Sequence, residues 1–348
     1  MPPTVVRGYV YRPAWTLDGR PAAGPDEDAF TLAATALEGL LASAPADPLP
    51  GVLRLVGAFP EVSEWGFAPL LGRPVRVVHD GEGPSGLAAA LRPSEDALVV
   101  AVDLPERGED SRSAEGALAV AARLAAEGPS GPDETARPGT GTGAEAALAL
   151  AASAVGGWID HPRRPGRLTL DAHRLRAAVE APTRVVAEGA LVPRARYLES
   201  LPSRWRLVAE RCPRCAATTF PARGACARCG ERSGLVPFAL PYDGGTVVAA
   251  TAIGPGGQPT EFDAQVAAQG PYGVVLVALA PAVHATFAVT DAAPVRLALG
   301  TRVGTRLRRL YPMEGEWRYG RKAVPLPSGD QPGPSAAGGS HGAPTQPE

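Results

Sequence analysis

The sequence predicts a multidomain α+β chain: a layered α/β region first, then a compact four-cysteine knot, then a small five-stranded β-barrel. Three observations carry this. Over the first 127 residues, short apolar runs alternate with helical patterns, as expected of strands layered against helices. All four cysteines of the 348-residue chain lie between Cys212 and Cys229. From Thr246 to Val324 the helical patterns stop, and five β-rich runs follow, divided by Gly, Pro and Asp.

The elements follow in order. VVRGYVYRPAW, near the start, reads as a strand followed by a loop. DEDAFTLAATALEGLLA has acids in its first turn and Phe30, Ala33, Ala34, Leu37, Leu40 and Leu41 at helical spacing. It predicts a helix with one buried face. GVLRLVG (51–57) and PVRVVHD (74–80) read as strands, and SGLAAALR (85–92) as a short helix. DALVVAVD (96–103) is uninterrupted apolar sequence, as in a strand covered on both faces. SAEGALAVAARLAAEG (113–128) predicts another helix. The Gly/Pro-rich GPSGPDETARPGTGTG (128–143) reads as a linker, and AEAALALAASAVGGW and LDAHRLRAAVEAP read as helices. TVVAATAI, YGVVLVAL, VHATFAVT, TRVGTRLRRL and EWRYGRKAV fit a small barrel of the OB type. From Leu326 onward the composition cannot bury enough apolar surface to fold, which predicts a disordered tail.

Composition narrows the function. The net charge of −2 argues against a general binder of nucleic acid or membrane surfaces. No apolar run approaches the roughly 20 residues of a membrane span, and no stretch has the build of a signal peptide. A soluble cytoplasmic protein is expected. Lys322 is the only lysine; the wealth of Arg, Ala, Gly and Pro reads as codon bias. Two local excesses of positive charge still stand out: eleven Arg against six acids over 160–211, and eight basic against two acidic residues over 296–322. Each reads as a solvated basic face or as a surface for anionic ligands.

Cys212, Cys215, Cys226 and Cys229 form C-x2-C-x10-C-x2-C. Each C-x2-C turn brings two thiolates to one side, and two facing turns supply the four soft ligands of a tetrahedral zinc ion. A disulfide framework does not suit a cytoplasmic chain. Four thiolates leave no open position for water or substrate, so the zinc is expected to be structural.

With these residues in view, ARYLESLPSRWRLVAERCPRCAATTFPARGACARCG resembles the leading helix and rubredoxin-like zinc ribbon of the domain-of-unknown-function-35 family. The family pattern runs R-C-x-x-C-G, F-P-x-R, C-x-x-C-G. Phe220, Pro221, Arg223 and Gly230 match it, and Ala216 replaces the first glycine. GPYGVVLVALAPAVHATFAV, ALGTRVGTRLRRL and RYGRKAVP resemble the family's barrel strands in order, with Ala323 in place of an aromatic. The resemblance spans Pro193 to Pro325. Residues 4–127 resemble the first half of the thiolase-like superfamily, in particular 3-hydroxy-3-methylglutaryl-CoA synthase and ketoacyl synthase III. GYVYRPAWTL, DEDAFTLAATAL, GEGPSGLAAAL and ALVVAVDLPE carry it. The superfamily's catalytic cysteine would fall at Gly83, which has no nucleophile.

The resemblances imply these domains: 1–127, a degenerate thiolase-like half; 128–192, a linker and helical segment; 193–238, helix and zinc ribbon; 239–325, an OB-fold barrel; 326–348, the tail. They imply a noncatalytic accessory protein of acyl-CoA metabolism that docks a thiolase-like or condensing enzyme and contributes to binding acyl-CoA. Arg302, Arg306, Arg308, Arg309, Arg321 and Lys322 are the candidates for the phosphates of coenzyme A. Arg302, Arg306 and Arg308 would share one face of a regular strand. Two other readings stand beside this one. A condensing or acyltransferase enzyme would need another nucleophile or a completing partner chain. A nucleic-acid binder would need aromatics free to stack bases, but Phe220, Phe238, Tyr272 and Phe287 read mostly as core. Ser85, near His79, Asp80 and Asp103, reads as a helix-start serine because GPSGL lacks the second glycine of G-x-S-x-G. GTGTGAE (139–145) reads as linker, His161 as part of a surface turn, and His284 as structural.

Overall fold

The computed structural model describes residues 4–11, 13–17, 20–24, 26–43, 48–81, 89–90, 95–103, 118–125, 158–160, 168–169, 192–254, 256–258, 262–263, 266, 270–292, 297–313 and 316–326. The SGLAAALR helix lies mostly outside these residues, as do Ser85 and Gly83. The two helices expected within 144–183, apart from Trp158, also lie outside them, as do His161 and the tail beyond Leu326.

A six-stranded mixed sheet forms the first layer. Its strands are β1 (Thr4–Tyr11), β4 (Val52–Val56), β5 (Arg76–His79), β6 (Ala97–Asp103), β7 (Leu118–Ala125) and β8 (Trp158–Asp160), in the order β5-β4-β6-β7-β1-β8. The core of β4-β5-β6 is parallel, and β7 runs antiparallel to both β6 and β1. Ala97 to Val102 are all buried, as the continuous apolar run of β6 predicts. Two short strands, β2 (Trp15–Leu17) and β3 (Arg20–Ala22), pair with β9 (Leu168–Thr169) beside the sheet.

Strand β7 corrects the helix expected over 113–128. LAVAARLA has helical propensity in its alanines, but a ladder on each side and burial within a sheet outweigh that preference. Its Ala119 and Ala121 are fully buried in the same core cluster as helix α1 (Ala29–Ser43). Small side chains there let the alanine-rich helix lie close to the sheet.

Helix α1 also differs from expectation. Every residue from Ala29 to Leu37 is buried, so the helix is enclosed rather than buried on one face. Gly39 shows how closely the sheet approaches: a Cβ there would fall 2.2 Å from the ring of Tyr9. Helix α2 (Val62–Leu71) lies where the sequence pattern suggested nothing. Its signal is at the C-terminal end, where Gly72 takes the left-handed conformation (φ 71°) and closes the helix through its N–H to Ala68.

The second half starts with helix α3 (Arg194–Arg206). A three-stranded ribbon sheet follows, of order β11-β10-β12, from β10 (Val208–Arg211), β11 (Thr218–Thr219) and β12 (Val236–Ala239). The last sheet has the order β15-β14-β13-β16-β17 and comprises β13 (Asp243–Ile253), β14 (Tyr272–Ala280), β15 (Val283–Ala288), β16 (Arg302–Met313) and β17 (Glu316–Pro325). All its pairs are antiparallel, and a parallel bridge from Val289 to Ala323 brings the third strand to the fifth. The result is a nearly closed OB-type barrel. Val247, Val275, Val277, Phe287, Val303 and Ala323 are in its core.

The halves share a core. Phe30 of α1, Phe67 of α2, Tyr197 and Trp205 of α3, and Leu307 and Tyr319 of the barrel belong to one buried cluster. The Phe30 ring meets Phe67 at 5.0 Å and Tyr319 at 5.3 Å, both edge-on, while Trp65 stacks on Trp205 at 5.7 Å. Trp205 Nε1 donates to the Tyr319 carbonyl at 3.0 Å.

Candidate metal centre and the basic strand pair

The metal site is built by two similar turns. In the first, the N–H of Ala216 donates to the Cys212 carbonyl at 3.0 Å; in the second, the N–H of Gly230 donates to the Cys226 carbonyl at 3.0 Å. Both residues at the end of the turn have positive φ, 56° at Ala216 and 74° at Gly230. That backbone is why a glycine suits the position and why Ala216 is strained there. Thr219 Oγ1 accepts the N–H of Ala227, and one Glu210 carboxylate oxygen accepts the N–H groups of Arg223 and Gly224, each at 3.0 Å. Ser203 of α3 donates to the Val208 carbonyl at 2.8 Å and accepts from the Ala222 N–H at 3.0 Å, tying the helix to the ribbon.

These turns set Cys212 Sγ 3.6 Å from Cys229 Sγ and Cys215 Sγ 3.6 Å from Cys226 Sγ. All four sulfurs lie within 4.8 Å of one another. A regular tetrahedron with Zn–S bonds of about 2.3 Å has S···S separations of about 3.8 Å. The four thiols therefore fit a zinc ion with little rearrangement. The N–H of Arg228 points at Cys226 Sγ (3.4 Å), a contact that stabilises thiolate charge. Cys212 and Cys226 are buried and Cys229 is exposed, so the ion would sit at the protein surface, closed by sulfur.

The ribbon surface is rich in arginine. Arg214 and Arg228 occupy the same position in the two C-x-x-C turns, and with Arg211, Arg223 and Arg232 they are exposed. Arg214, Arg223, Arg228 and Arg232 make no ion pair among the described residues. The nearby acids are turned inward: Glu210 as described, and Glu231 onto the N–H groups of Arg232 and Ser233 at 2.9 Å each. Phe238 lies under Arg211, and Phe220 and Phe238 pack on the barrel core. Phe287 and Tyr272 are buried. Phe220 and Phe238 are half-buried, so the expectation of core aromatics holds fully for Tyr272 and Phe287, and His284, expected to be structural, is exposed.

The basic residues of β16 and β17 meet another fate than the expected solvent-facing patch. Arg308, Arg321 and Lys322 are buried, with Arg308 and Lys322 almost wholly inaccessible. Arg308 Nη2 lies 2.8 Å from both Glu27 Oε1 and Asp291 Oδ2, and 3.0 Å from the Tyr11 hydroxyl. Lys322 Nζ lies 2.8 Å from Asp26 Oδ2, which also accepts from the Thr290 hydroxyl at 2.9 Å. Arg321 forks onto Glu38 of α1 and covers the Tyr242 ring at 3.7 Å. Arg309 reaches the Glu27 carbonyl at 3.1 Å and covers Trp317 at 4.6 Å. Nearer the surface, Arg306 pairs with Asp243 at 2.7 Å, and Arg302 is half-buried next to Gly244. Arg306 and Arg308, expected on one face, thus stand in different surroundings.

The partners of this ladder are the acids Asp26, Glu27 and Asp28, whose sequence signal read only as a helix start. Asp28 does serve that end, accepting from the Thr31 N–H at 2.9 Å, and it accepts the Tyr319 hydroxyl at 2.8 Å. Burial pushes the Asp26 carboxyl up, but the Lys322 ammonium and Arg308 guanidinium together hold it below its ordinary value. Burial raises Glu27 to about 7, against the pull of Arg308 and with the push of Asp291.

In the first half, Asp80 is held by the Arg54 guanidinium (Nε at 2.9 Å), and the His79 ring meets Phe59 edge-on at 6.3 Å. Neither contact forms a nucleophile–base pair.

Residues 203–235 match the family model described as ChsH2, rubredoxin-like zinc ribbon domain. Among solved structures, the chain is similar to the Ltp2-ChsH2(DUF35) aldolase at 20% identity, covering 40% of this chain and 98% of that one, with a TM-score of 0.29. It is similar to PksG, an HMG-CoA synthase from Bacillus subtilis, at 18% identity, covering 36% of this chain and 40% of that one, with a TM-score of 0.30. It is also similar to a protein of unknown function from the DUF35 family of Sulfolobus solfataricus, at 12% identity, covering 34% of this chain and 75% of that one, with a TM-score of 0.23. The chain spans about two fifths of the length of that HMG-CoA synthase. No curated protein matches the chain. Among the described residues, no helix is long and apolar enough to cross a membrane.

Proposed function

We propose that this chain is a noncatalytic accessory protein of acyl-CoA metabolism that docks a thiolase-like or condensing enzyme. The observation that carries this reading is the commitment of all four cysteines to one cluster. A thiolase-like acyl transfer needs a cysteine nucleophile, and this sequence holds no fifth cysteine to supply it. The match of the ribbon to the ChsH2 family model supports the docking role, as does the ordered run of family motifs through the barrel.

On this reading the chain divides as the motifs suggest, with the α/β half up to residue 127 and the barrel over 239–325. The zinc holds the ribbon in shape, and the exposed arginines on both metal turns face an acidic surface of the partner. Arg302 and Arg306 are the members of the basic strand pair best placed for a coenzyme A phosphate. Arg308, Arg321 and Lys322 hold carboxylates that are at most 13% exposed, whereas Asp243, the partner of Arg306, is 54% exposed.

The test is co-expression with an intact thiolase-like enzyme from the same organism. A stoichiometric complex, with acyl transfer only in the presence of the partner, is the expected result. Acyl transfer by the isolated chain would overturn the accessory role and favour an enzyme with another nucleophile.

A further inference from the structure

We propose that the four-cysteine ribbon is a thiol–disulfide switch: hydrogen peroxide oxidises its sulfurs in two pairs, Cys229 with Cys212 and Cys215 with Cys226, and the ribbon then lets go of its metal. The geometry sets the pairs. The two sulfur contacts at 3.6 Å both run from one metal turn to the other, not within a C-x2-C turn. Each joins an outer sulfur to an inner one: Cys229 is exposed and Cys212 buried, Cys215 is half-buried and Cys226 buried. An outer thiolate can therefore meet a small oxidant from solvent while an inner one stands directly behind it. That is the arrangement of a reactive cysteine and its resolving partner.

The surroundings favour attack at the outer sulfurs. Sulfurs that hold a metal are thiolates, the nucleophilic form. The residues beside them on the turns, Ala216, Ala227 and Gly230, are small and exposed. Arg214 and Arg228 directly precede Cys215 and Cys229, and neither makes an ion pair among the described residues. Their positive charge suits a reactive thiolate. The nearby acids do not oppose it, because Glu210 and Glu231 accept backbone N–H groups.

The step balances with peroxide as oxidant. Cys229 Sγ displaces one hydroxide from hydrogen peroxide and becomes a sulfenic acid. Cys212 Sγ attacks that sulfur, the S–S bond forms and a second hydroxide leaves. Two protons from solvent turn both hydroxides into water, and two electrons pass from the sulfur pair to the peroxide. Cys215 and Cys226 repeat the step with a second peroxide. Each disulfide withdraws two thiolate ligands, since the thiolate is the form that binds metal. The bonds link positions 17 and 11 residues apart, across the turns. They hold the two turns together after the metal leaves, which bonds within each C-x2-C turn would not do. A dithiol reductant reverses the change by exchange.

The test uses the full chain loaded with zinc. Its metal content is measured before oxidation, so the metal site is checked on its own; a chain that binds no zinc would overturn the site and the switch together. The loaded chain is titrated with hydrogen peroxide, and zinc release is followed with a chromogenic chelator. Remaining thiols are alkylated before trypsin digestion without reductant. Cleavage after Arg211, Arg214, Arg223, Arg228 and Arg232 puts each cysteine on its own peptide, so mass spectrometry reads the pairing directly. The expected result is loss of the bound zinc, with the Cys212 peptide joined to that of Cys229 and the Cys215 peptide to that of Cys226. Dithiothreitol should restore zinc binding. Pairing within the C-x2-C turns, sulfinic or sulfonic acids without disulfides, or zinc retained in excess peroxide would overturn the switch. No partner enzyme enters the test, so the docking role stands or falls separately.

Discussion

The ammonium of Lys322 lies 2.8 Å from the carboxylate of Asp26, 296 positions earlier in the chain. The only lysine of the protein thus joins its last barrel strand to the turn before its first helix. Both side chains are nearly sealed from solvent, at 1% and 5% exposure. Removing one partner strands the other charge in the interior. Lys322→Met is therefore expected to lower stability by about 3–5 kcal/mol. The double variant Lys322→Met, Asp26→Leu should recover much of that loss, as measured by a double-mutant cycle in urea. As a control, Arg196→Ala removes a surface pair with Glu199 and should cost at most about 1 kcal/mol.

The metal turns make a prediction of opposite sign. Cys226→Ser should abolish stoichiometric zinc, read by elemental analysis of the purified chain. Ala216→Gly should strengthen metal retention against a chelator, because it relieves a left-handed alanine worth about 1–2 kcal/mol. Part of that gain is offset by the added freedom of glycine in the unfolded chain.

Partner docking and ribbon integrity should separate. Arg214→Glu with Arg228→Glu reverses charge on both metal turns without touching a sulfur. Loss of the complex with the thiolase-like enzyme at unchanged zinc content is the expected outcome. Loss of zinc instead would mean that these arginines serve chiefly to balance the thiolates.

The basic strand pair should divide the same way. Arg306→Gln is expected to weaken acyl-CoA binding by the complex at a modest cost in melting temperature, because it also removes the pair with Asp243. Arg308→Glu places a fourth carboxylate beside Glu27, Asp26 and Asp291 and should leave the chain unfolded. Circular dichroism melts and acyl-CoA titration of the complex separate the two outcomes.

Trp205 anchors the shared core, fully buried and stacked on Trp65. Trp205→Ala should cost about 3–5 kcal/mol, read by chemical denaturation.

The sequence revealed those elements whose signal is local. C-x2-C-x10-C-x2-C states its own geometry, and the five barrel runs alternate where the barrel alternates. The signal failed where the deciding contact is remote. Nothing near LAVAARLA indicates that β6 and β1 will flank it, so its alanines read as helix. Arg308, Arg321 and Lys322 looked like a ligand surface because their carboxylates lie more than 260 residues away, apart from Asp291. The clue available was the matched pair itself: an acidic triplet, Asp26-Glu27-Asp28, in a chain whose strongest local basic excess lies in the barrel. Helix α2 was missed because its stretch has neither clear periodicity nor a side-chain cap.

The enclosure of α1 has a consequence for how the protein is made. One wall around Phe30 and Leu37 comes from strands at the start of the chain, the other from Leu307 and Tyr319 near the end. A ribosome must therefore release the chain beyond Tyr319 before this helix finds all its neighbours. Until then its apolar surface stays open to other chains, which makes the nascent protein a natural client of chaperones.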